Sequence, residues 1–149
     1  MISALILQFL IAKSSFEVLR VYDGDSLEIR NSEGFELELR ISALDCPELS
    51  VKVGKMRVRK PEAFAQEAKE LLEKLLRERS WRVEAFARDR YHRHLVEFLD
   101  PKELLLSEEM LKSGYCRVFR KGGDLPYQDR LEKAEKLAKT QKLGLWGAK

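Results

Sequence analysis

The segment FELELRI at residues 35–41 places an apolar side chain at every second position, and this pattern constrains the fold more than any other part of the sequence. A period of two residues predicts a β-strand with one buried face. Residues 16–22 and 26–30 also have the character of strands, and the turn sequences Asp23-Gly24 and Asn31-Ser32-Glu33-Gly34 separate the three segments. Three sequential strands joined by tight turns predict an antiparallel meander.

The rest of the chain carries both helical and extended patterns. A first helix is predicted to open at Pro61, because apolar side chains then recur at the spacing of one helix face up to residue 76. Ser107 is predicted to cap a short second helix that stops at Gly114, and a third helix is predicted from Tyr127 onward.

The order of the elements predicts the fold class. Two further strands are expected at residues 81–86 and 94–99, after the first helix. Five strands with a helix between the third and the fourth are typical of the OB-fold. We therefore expect an α+β, mainly β domain, built as a five-stranded OB-fold Greek-key barrel with three α-helices. The basic segment 49–60 is expected to be a polar loop.

The N-terminal residues 2–12 are nearly all apolar. Their length suits the core of a signal peptide and is too short for a membrane-spanning helix, although no Lys or Arg precedes them. We expect residues 1–12 to be a signal or anchor and residues 13–149 to form the domain, in a secreted or cell-envelope protein. The alternative is an ordinary strand or helix in a cytoplasmic protein.

The two cysteines, Cys46 and Cys116, have neither the spacing of a metal site nor that of a CxxC motif. We expect both to be free, small and buried residues, with a disulfide as the alternative.

Acidic residues follow two of the predicted strands. Asp23 and Asp25 follow the first, whereas Asp45 and Glu48 lie just beyond the strand that carries Arg40. Carboxylates at strand ends can bind a hard cation through oxygen, and an arginine beside them can bind a phosphate. The alternative is an ordinary hairpin turn with solvated charges.

The alternation of side chains between the two faces of the third strand sets a condition for a shared site. Arg40 and Asp45 would point to opposite faces of a flat strand, so a shared site requires a bend or bulge between Ser42 and Asp45.

A third polar cluster runs from Arg88 to Arg93 and holds three arginines. It is either a solvated hairpin tip or a source of a guanidinium group that binds a phosphate, a role for which the planar, permanently charged arginine is suited.

Together these segments resemble the staphylococcal nuclease (thermonuclease-like) family. The similar segments are Asp23-Gly24-Asp25-Ser26, the run from Arg40 to Asp45-Cys46-Pro47-Glu48, the run Asp89-Arg90-Tyr91-His92-Arg93, and the ending Leu143-Gly144-Leu145-Trp146. Their order and spacing match the family over most of the chain. His92 departs from the pattern, because the family more usually has Gly before the second arginine.

The resemblance implies a metal site. Asp25 and Asp45 would ligate Ca²⁺ through their carboxylates, the backbone carbonyl of Cys46 would be a further ligand, and Asp23 would contribute through water.

The resemblance also implies roles in the reaction. Glu48 would act as the general base or orient the attacking water. Arg40 and Arg93 would hold the scissile phosphate, and Arg90 and Tyr91 would line the nucleotide site.

The expected function is therefore a Ca²⁺-dependent phosphodiesterase that hydrolyses DNA and RNA, preferably single-stranded or locally unpaired, and leaves 3′-phosphate ends. We expect a monomer without an obligate protein partner. The alternative is a non-catalytic OB-fold module that binds nucleic acid, and a membrane-tethered protein-interaction domain is a third possibility. The five basic residues between Lys52 and Lys60 either follow the nucleic-acid backbone or lie in a solvated loop.

Overall fold

Nine strands and three α-helices make up the computed structural model, which describes residues 15–147 except 122 and 124. The strands are β1 (Phe16–Val21), β2 (Ser26–Asn31), β3 (Glu36–Ile41), β4 (Leu44–Asp45), β5 (Ser50–Val53), β6 (Met56–Arg59), β7 (Arg82–Arg88), β8 (His94–Leu99) and β9 (Arg117–Val118). The helices are α1 (Ala65–Glu78), α2 (Leu106–Lys112) and α3 (Gln128–Thr140), and a 3₁₀ turn follows at Gly144–Trp146.

Five of the strands form the main sheet in the order β1-β2-β3-β8-β7. All neighbours are antiparallel except β3 and β8, which are parallel. The predicted meander and the mainly β, α+β class are confirmed, and the strand order is consistent with an OB-like fold. Within the described residues no hydrogen-bonded ladder is present between β1 and β7, the two edge strands of this sheet.

The alternating pattern of the meander places its apolar side chains in the core. Leu27 and Ile29 of β2 and Leu39 and Ile41 of β3 are fully buried. Helix α1 adds three buried residues of its apolar face to the same hydrophobic cluster, which are Ala68, Leu72 and Leu75. Burial of these side chains stabilises the contact between sheet and helix.

Three local predictions were wrong. The segment predicted as a polar loop contains the β5–β6 hairpin, because its basic residues are interspersed with β-forming valines. Helix α1 begins at Ala65 rather than at Pro61. Ser107 lies inside the first turn of α2, where its hydroxyl donates to Glu97 at 2.7 Å, and Leu105 is the N-cap.

The expectation of free cysteines was also wrong. Cys46 and Cys116 form a disulfide, and both are buried. Their neighbours explain why they meet, since Leu44–Asp45 of β4 pairs with Arg117–Val118 of β9 in a short second sheet. The disulfide thus joins the segment after β4 to the start of β9.

The expectation about residues 1–12 lies outside the described part of the chain. In the described part, no helix combines the length and the apolar character that crossing a bilayer requires.

A buried carboxylate ties β9 to α3. Glu135 has 1% of its side chain exposed, accepts a hydrogen bond from the Arg120 guanidinium at 2.6 Å and lies 2.8 Å from the Lys139 ammonium. It also accepts the backbone N–H of Val118 of β9 at 2.6 Å. Burial alone would raise its pKa, but these partners outweigh burial and lower the pKa of Glu135 to about 2.

We expect Glu135→Gln to lower the free energy of unfolding at pH 7 by about 2–3 kcal/mol, because it leaves two cations without their buried partner. The carboxylate's contribution is present above its unfolded pKa of about 4.5 and is lost as the pH falls toward 2. Urea unfolding between pH 7 and pH 3 should therefore show a flatter acid limb in the variant. Glu132→Gln, on the exposed face of the same helix, is the matched control, and an equal loss in both variants at pH 7 would contradict this account.

Candidate active site

The turn between β1 and β2 packs directly against α1. A Cβ on Gly24 would lie 2.8 Å from the Cβ of Ala68 and 2.9 Å from the Sγ of Cys46, so only glycine fits there. The two acids that flank Gly24 are both buried, with 7% exposure for Asp23 and 3% for Asp25. Close packing at Gly24 therefore fixes the position of two carboxylates.

The carboxylate of Asp25 joins three segments of the chain. Its Oδ2 accepts the backbone N–H of Cys46 at 2.9 Å and lies 3.5 Å from the Arg40 guanidinium. Its Oδ1 accepts the hydroxyl of Ser26 at 3.1 Å, and its own N–H donates to Asp23 at 3.0 Å. Asp25 thereby links β2, β3 and the segment after β4.

Arg40 extends from the central strand of the sheet, where Ser26 of β2 and Leu95 of β8 are its neighbours. Its guanidinium donates to the carbonyl of Ile41 at 2.7 Å and lies 5.5 Å from the ring centroid of Phe119. Only 14% of the side chain is exposed. The positive charge is therefore held in one place.

Arg93 is held by the hairpin tip between β7 and β8. Asp89 accepts three hydrogen bonds there, from Nε of Arg93 at 2.8 Å and from the backbone N–H groups of Tyr91 at 2.9 Å and Arg93 at 3.0 Å. Nη1 of Arg93 also lies 3.4 Å from Oγ of Ser26. His92 takes a left-handed conformation at φ 65°, which favours glycine, and its side chain is exposed. Histidine at position 92, where the family more usually has glycine, therefore does not keep Arg93 from lying beside Ser26 of β2.

An open cleft of about 1000 Å³ brings five of the predicted residues together. Its walls include Asp23, Asp25, Arg40, Glu48 and Arg93. Two cations and three acids, drawn from turns and strand ends far apart in the sequence, therefore face one space.

The residues that line this cleft do not include four other predicted site residues. Asp45 is exposed and pairs with Arg117 across the short sheet. Cys46 is buried behind Asp25. Tyr91 is 62% exposed at the hairpin tip, with the guanidinium of Arg90 5.0 Å from its ring centroid.

The bend that the site requires is present. Strand β3 ends at Ile41 and β4 begins at Leu44, with a turn between them. This turn carries the chain from Arg40 to the loop of Glu48, whose side chain reaches the same cleft.

The surroundings disfavour the charged forms of two carboxyl groups on the acidic side of the cleft. Burial, together with the nearby Asp23, raises the pKa of Asp25 to about 8 despite the opposing effect of Arg40. Partial burial and the nearby Asp23 carboxylate raise the pKa of Glu48 to about 7. Carboxylates whose charged forms are disfavoured in this way would be stabilised by a bound cation.

The donor atoms fit a hard divalent cation. Asp23 and Asp25 offer carboxylate oxygens, and the sulfur of Cys46 is held in the disulfide, so no thiolate competes. Among the residues that the structure describes, no group of three or more His, Cys, Asp or Glu side chains is arranged to hold a metal ion. A cation here would complete its shell with water or substrate oxygens, and a contribution from Asp45 stays a prediction.

Three residues that organise the site had no role in the sequence analysis. Asp89 holds Arg93, Phe119 underlies Arg40, and Glu62 accepts the backbone N–H of Glu48 at 2.7 Å. An Asp at the start of a tight turn is a recognisable signal, so Asp89 could have been found. Phe119 and Glu62 reach the site through tertiary contacts, which no local sequence pattern predicts.

Comparison with known proteins decides the family. The family model described as staphylococcal nuclease homologue matches residues 38–148. This chain belongs to the staphylococcal nuclease family. The resemblance of the motifs is thereby confirmed, and the chain is a thermonuclease-like nuclease. The matched span contains Arg40, Glu48 and Arg93, and the structure places Asp23 and Asp25, which precede that span, in the same cleft.

Individual relatives resemble the chain over most of its length. It is 28% identical over 137 residues to a thermonuclease from Staphylococcus hyicus, which covers 90% of this chain and 76% of that protein. It is 29% identical over 150 residues to the endonuclease Htp3 from Saprolegnia parasitica, covering 87% and 68% of the two chains. An uncharacterized endonuclease from Haemophilus influenzae is 25% identical over 134 residues, with 90% and 67% covered.

We expect Asp89→Ala to lower the rate of nucleic-acid cleavage about 10-fold, because Arg93 loses the carboxylate that orients it. Asp89→Asn is the matched control, since its amide oxygen can still accept the backbone N–H groups of the tip, and it should retain more activity. Initial rates at saturating substrate, with circular dichroism to confirm folding, make the measurement. A wild-type rate in the folded Asp89→Ala variant would show that Arg93 needs no such support.

Proposed function

We propose that this nuclease is a Ca²⁺-dependent phosphodiesterase that hydrolyses DNA and RNA. The observation that carries the proposal is that Arg40 and Arg93 line the same cleft as Asp25 and Glu48. A phosphodiester is anionic and repels a nucleophile, so its cleavage requires positive charge on the phosphate and a base for the attacking water. The cleft offers groups of both kinds.

Arg40 and Arg93 bind the phosphate. Arg40 reaches the cleft from β3, and its guanidinium donates to the carbonyl of Ile41 at 2.7 Å. Arg93 reaches it from the tip before β8, and its guanidinium donates to the carboxylate of Asp89 at 2.8 Å. Guanidinium groups donate paired hydrogen bonds to phosphate oxygens, and they stabilise the charge that grows on them in the transition state.

Glu48 accepts the proton of the attacking water or orients that water. Its side chain is about half exposed, at 49%, and lines the cleft. A carboxylate within hydrogen-bond reach of a water molecule can act as a general base. Its backbone is held by Glu62, which keeps the loop after β4 in place.

Asp25 would hold the cation through its carboxylate oxygens and Asp23 would contribute through water, with Asp45 and the carbonyl of Cys46 as further proposed ligands. When bound, Ca²⁺ supplies positive charge beside the phosphate. The buried position of Asp25, at 3% exposure, leaves its oxygens oriented before any cation arrives.

The substrate range is proposed from the openness of the cleft and from the family. The cleft is open and has a volume of about 1000 Å³, and we propose that it takes single-stranded or locally unpaired DNA and RNA. The relatives named thermonuclease and endonuclease support nucleic acid as the substrate. Arg90 and Tyr91 at the hairpin tip are proposed to contact the nucleotide, 3′-phosphate ends are the proposed products, and the working form is proposed to be a monomer.

The disulfide supports a location outside the reducing cytoplasm. Disulfides persist in secreted and cell-envelope proteins, and Cys46 and Cys116 form one here. We therefore propose that the protein acts in the envelope or outside the cell.

The test is cleavage of labelled single-stranded DNA and RNA with Ca²⁺ and then with excess chelator. We expect cleavage only with Ca²⁺, and about 100-fold or greater losses in kcat for Glu48→Gln and Arg93→Ala. Arg77→Ala, which removes an exposed arginine from the end of α1, is the control and should match the wild type. Binding of the strand without cleavage under any Ca²⁺ concentration would instead identify a non-catalytic module.

A further inference from the structure

The β5–β6 hairpin beside the cleft has two chemically different faces. Cross-strand partners share a face of a two-stranded ribbon, and successive pairs alternate between faces. One face carries the pairs Ser50–Arg59 and Lys52–Arg57, and the other carries Val51–Val58 and Val53–Met56. The ribbon is therefore basic on one side and apolar on the other.

The basic face is continuous with the cleft. Lys52 and Arg57 line the cleft, and Arg57 donates to the carbonyl of Ser50 at 3.2 Å while lying 4.0 Å from Glu48. Arg59 lies across from the cleft-lining Ser50 at the base of the ribbon, and Lys55 lies in the turn at its tip. Within the described residues neither of these two forms an ion pair, so their charges are available to an anionic ligand.

The apolar face is exposed. Met56 is 70% exposed, Val53 is 58% exposed and Val58 is 44% exposed. These side chains lie around a tight turn at which Gly54 takes φ 62°. Adjacent exposed apolar side chains on a short ribbon are typical of a surface that contacts a ligand.

We propose that the β5–β6 hairpin is a second binding element for an unpaired nucleic-acid strand, with its basic face on the phosphates that flank the cleft and its apolar face against the bases. The proposal rests on the proposed function, which places the scissile strand in the cleft. Base faces are covered by stacking within a duplex, and they are accessible to apolar side chains only where the strand is unpaired. Charge complementarity and continuity with the cleft both favour this ligand.

Binding is measured by fluorescence anisotropy on a labelled thymidine oligonucleotide of about 20 residues, in chelator so that the strand stays intact. We expect Lys55→Gln with Arg59→Gln to weaken binding about 10-fold and to reduce the salt slope by about 1.4, the value for two lost phosphate contacts on a single strand. Lys133→Gln with Lys136→Gln removes two exposed cations from α3 and should change neither quantity by more than about twofold.

The apolar face is tested with Val53→Ser and Met56→Gln in one variant. We expect binding about fivefold weaker with an unchanged salt slope, because contacts with bases are lost and contacts with phosphates are kept. Leu137→Gln, at a residue 44% exposed on α3, is the apolar control. Unchanged affinity in both hairpin variants overturns the proposal. So does unchanged affinity together with a shift from dimer to monomer in sedimentation, which would make the apolar face a contact between copies.

Cleavage of a trinucleotide with Ca²⁺ separates this proposal from the proposed function. A trinucleotide with no terminal phosphates has only one phosphate beside the scissile one, so the hairpin variants should lose much less in cleaving it than in binding the oligonucleotide of about 20 residues. A wild-type protein that cleaves nothing, yet loses affinity in the hairpin variants, overturns the proposed function alone. A wild-type protein that cleaves, with hairpin variants that bind normally, overturns only the inference about the hairpin.

Discussion

The arrangement of the site depends on the buried carboxylate of Asp25. Its two oxygens accept hydrogen bonds from the backbone of Cys46 and the hydroxyl of Ser26, and one of them lies 3.5 Å from Arg40. Ser26 in turn lies 3.4 Å from Arg93. A single acidic group thus connects both arginines that are proposed to bind the phosphate with the loop that carries Glu48. Because a buried polar group is costly unless it is hydrogen-bonded, these partners stay close to it.

The turn that carries Asp25 is fixed by its packing against α1 and the disulfide. Gly24 packs against Ala68 of α1 and against Cys46, whose disulfide to Cys116 joins the segment after β4 to β9. Catalytic groups on loops are precise only when the surrounding structure fixes those loops. Here the turn before β2 and the loop after β4 are fixed by the same cluster of side chains, so the cleft is formed before substrate binds.

Local patterns predicted the parts of the fold that local forces decide. The alternation at residues 35–41 and the turn at Asp23-Gly24 predicted the meander, because side-chain period and turn geometry act between near neighbours. The disulfide could not be derived, since its cysteines are separated by 70 residues and only the pairing of β4 with β9 brings them together. The β5–β6 hairpin was not predicted, because its many basic residues are typical of a polar loop and its few valines are a weak signal for a strand. Five of the predicted site residues line one cleft, whereas the roles of all the predicted site residues stay predictions.

The most direct test is the Asp25→Asn variant, which keeps the shape of the side chain and removes its ability to ionise. Ca²⁺ binding by calorimetry and cleavage of single-stranded DNA are measured on the same folded sample. We expect Ca²⁺ binding to be lost and kcat/KM to fall at least about 100-fold, because the cation and Arg40 both lose their shared partner. Wild-type Ca²⁺ affinity together with a wild-type cleavage rate in Asp25→Asn would contradict this expectation.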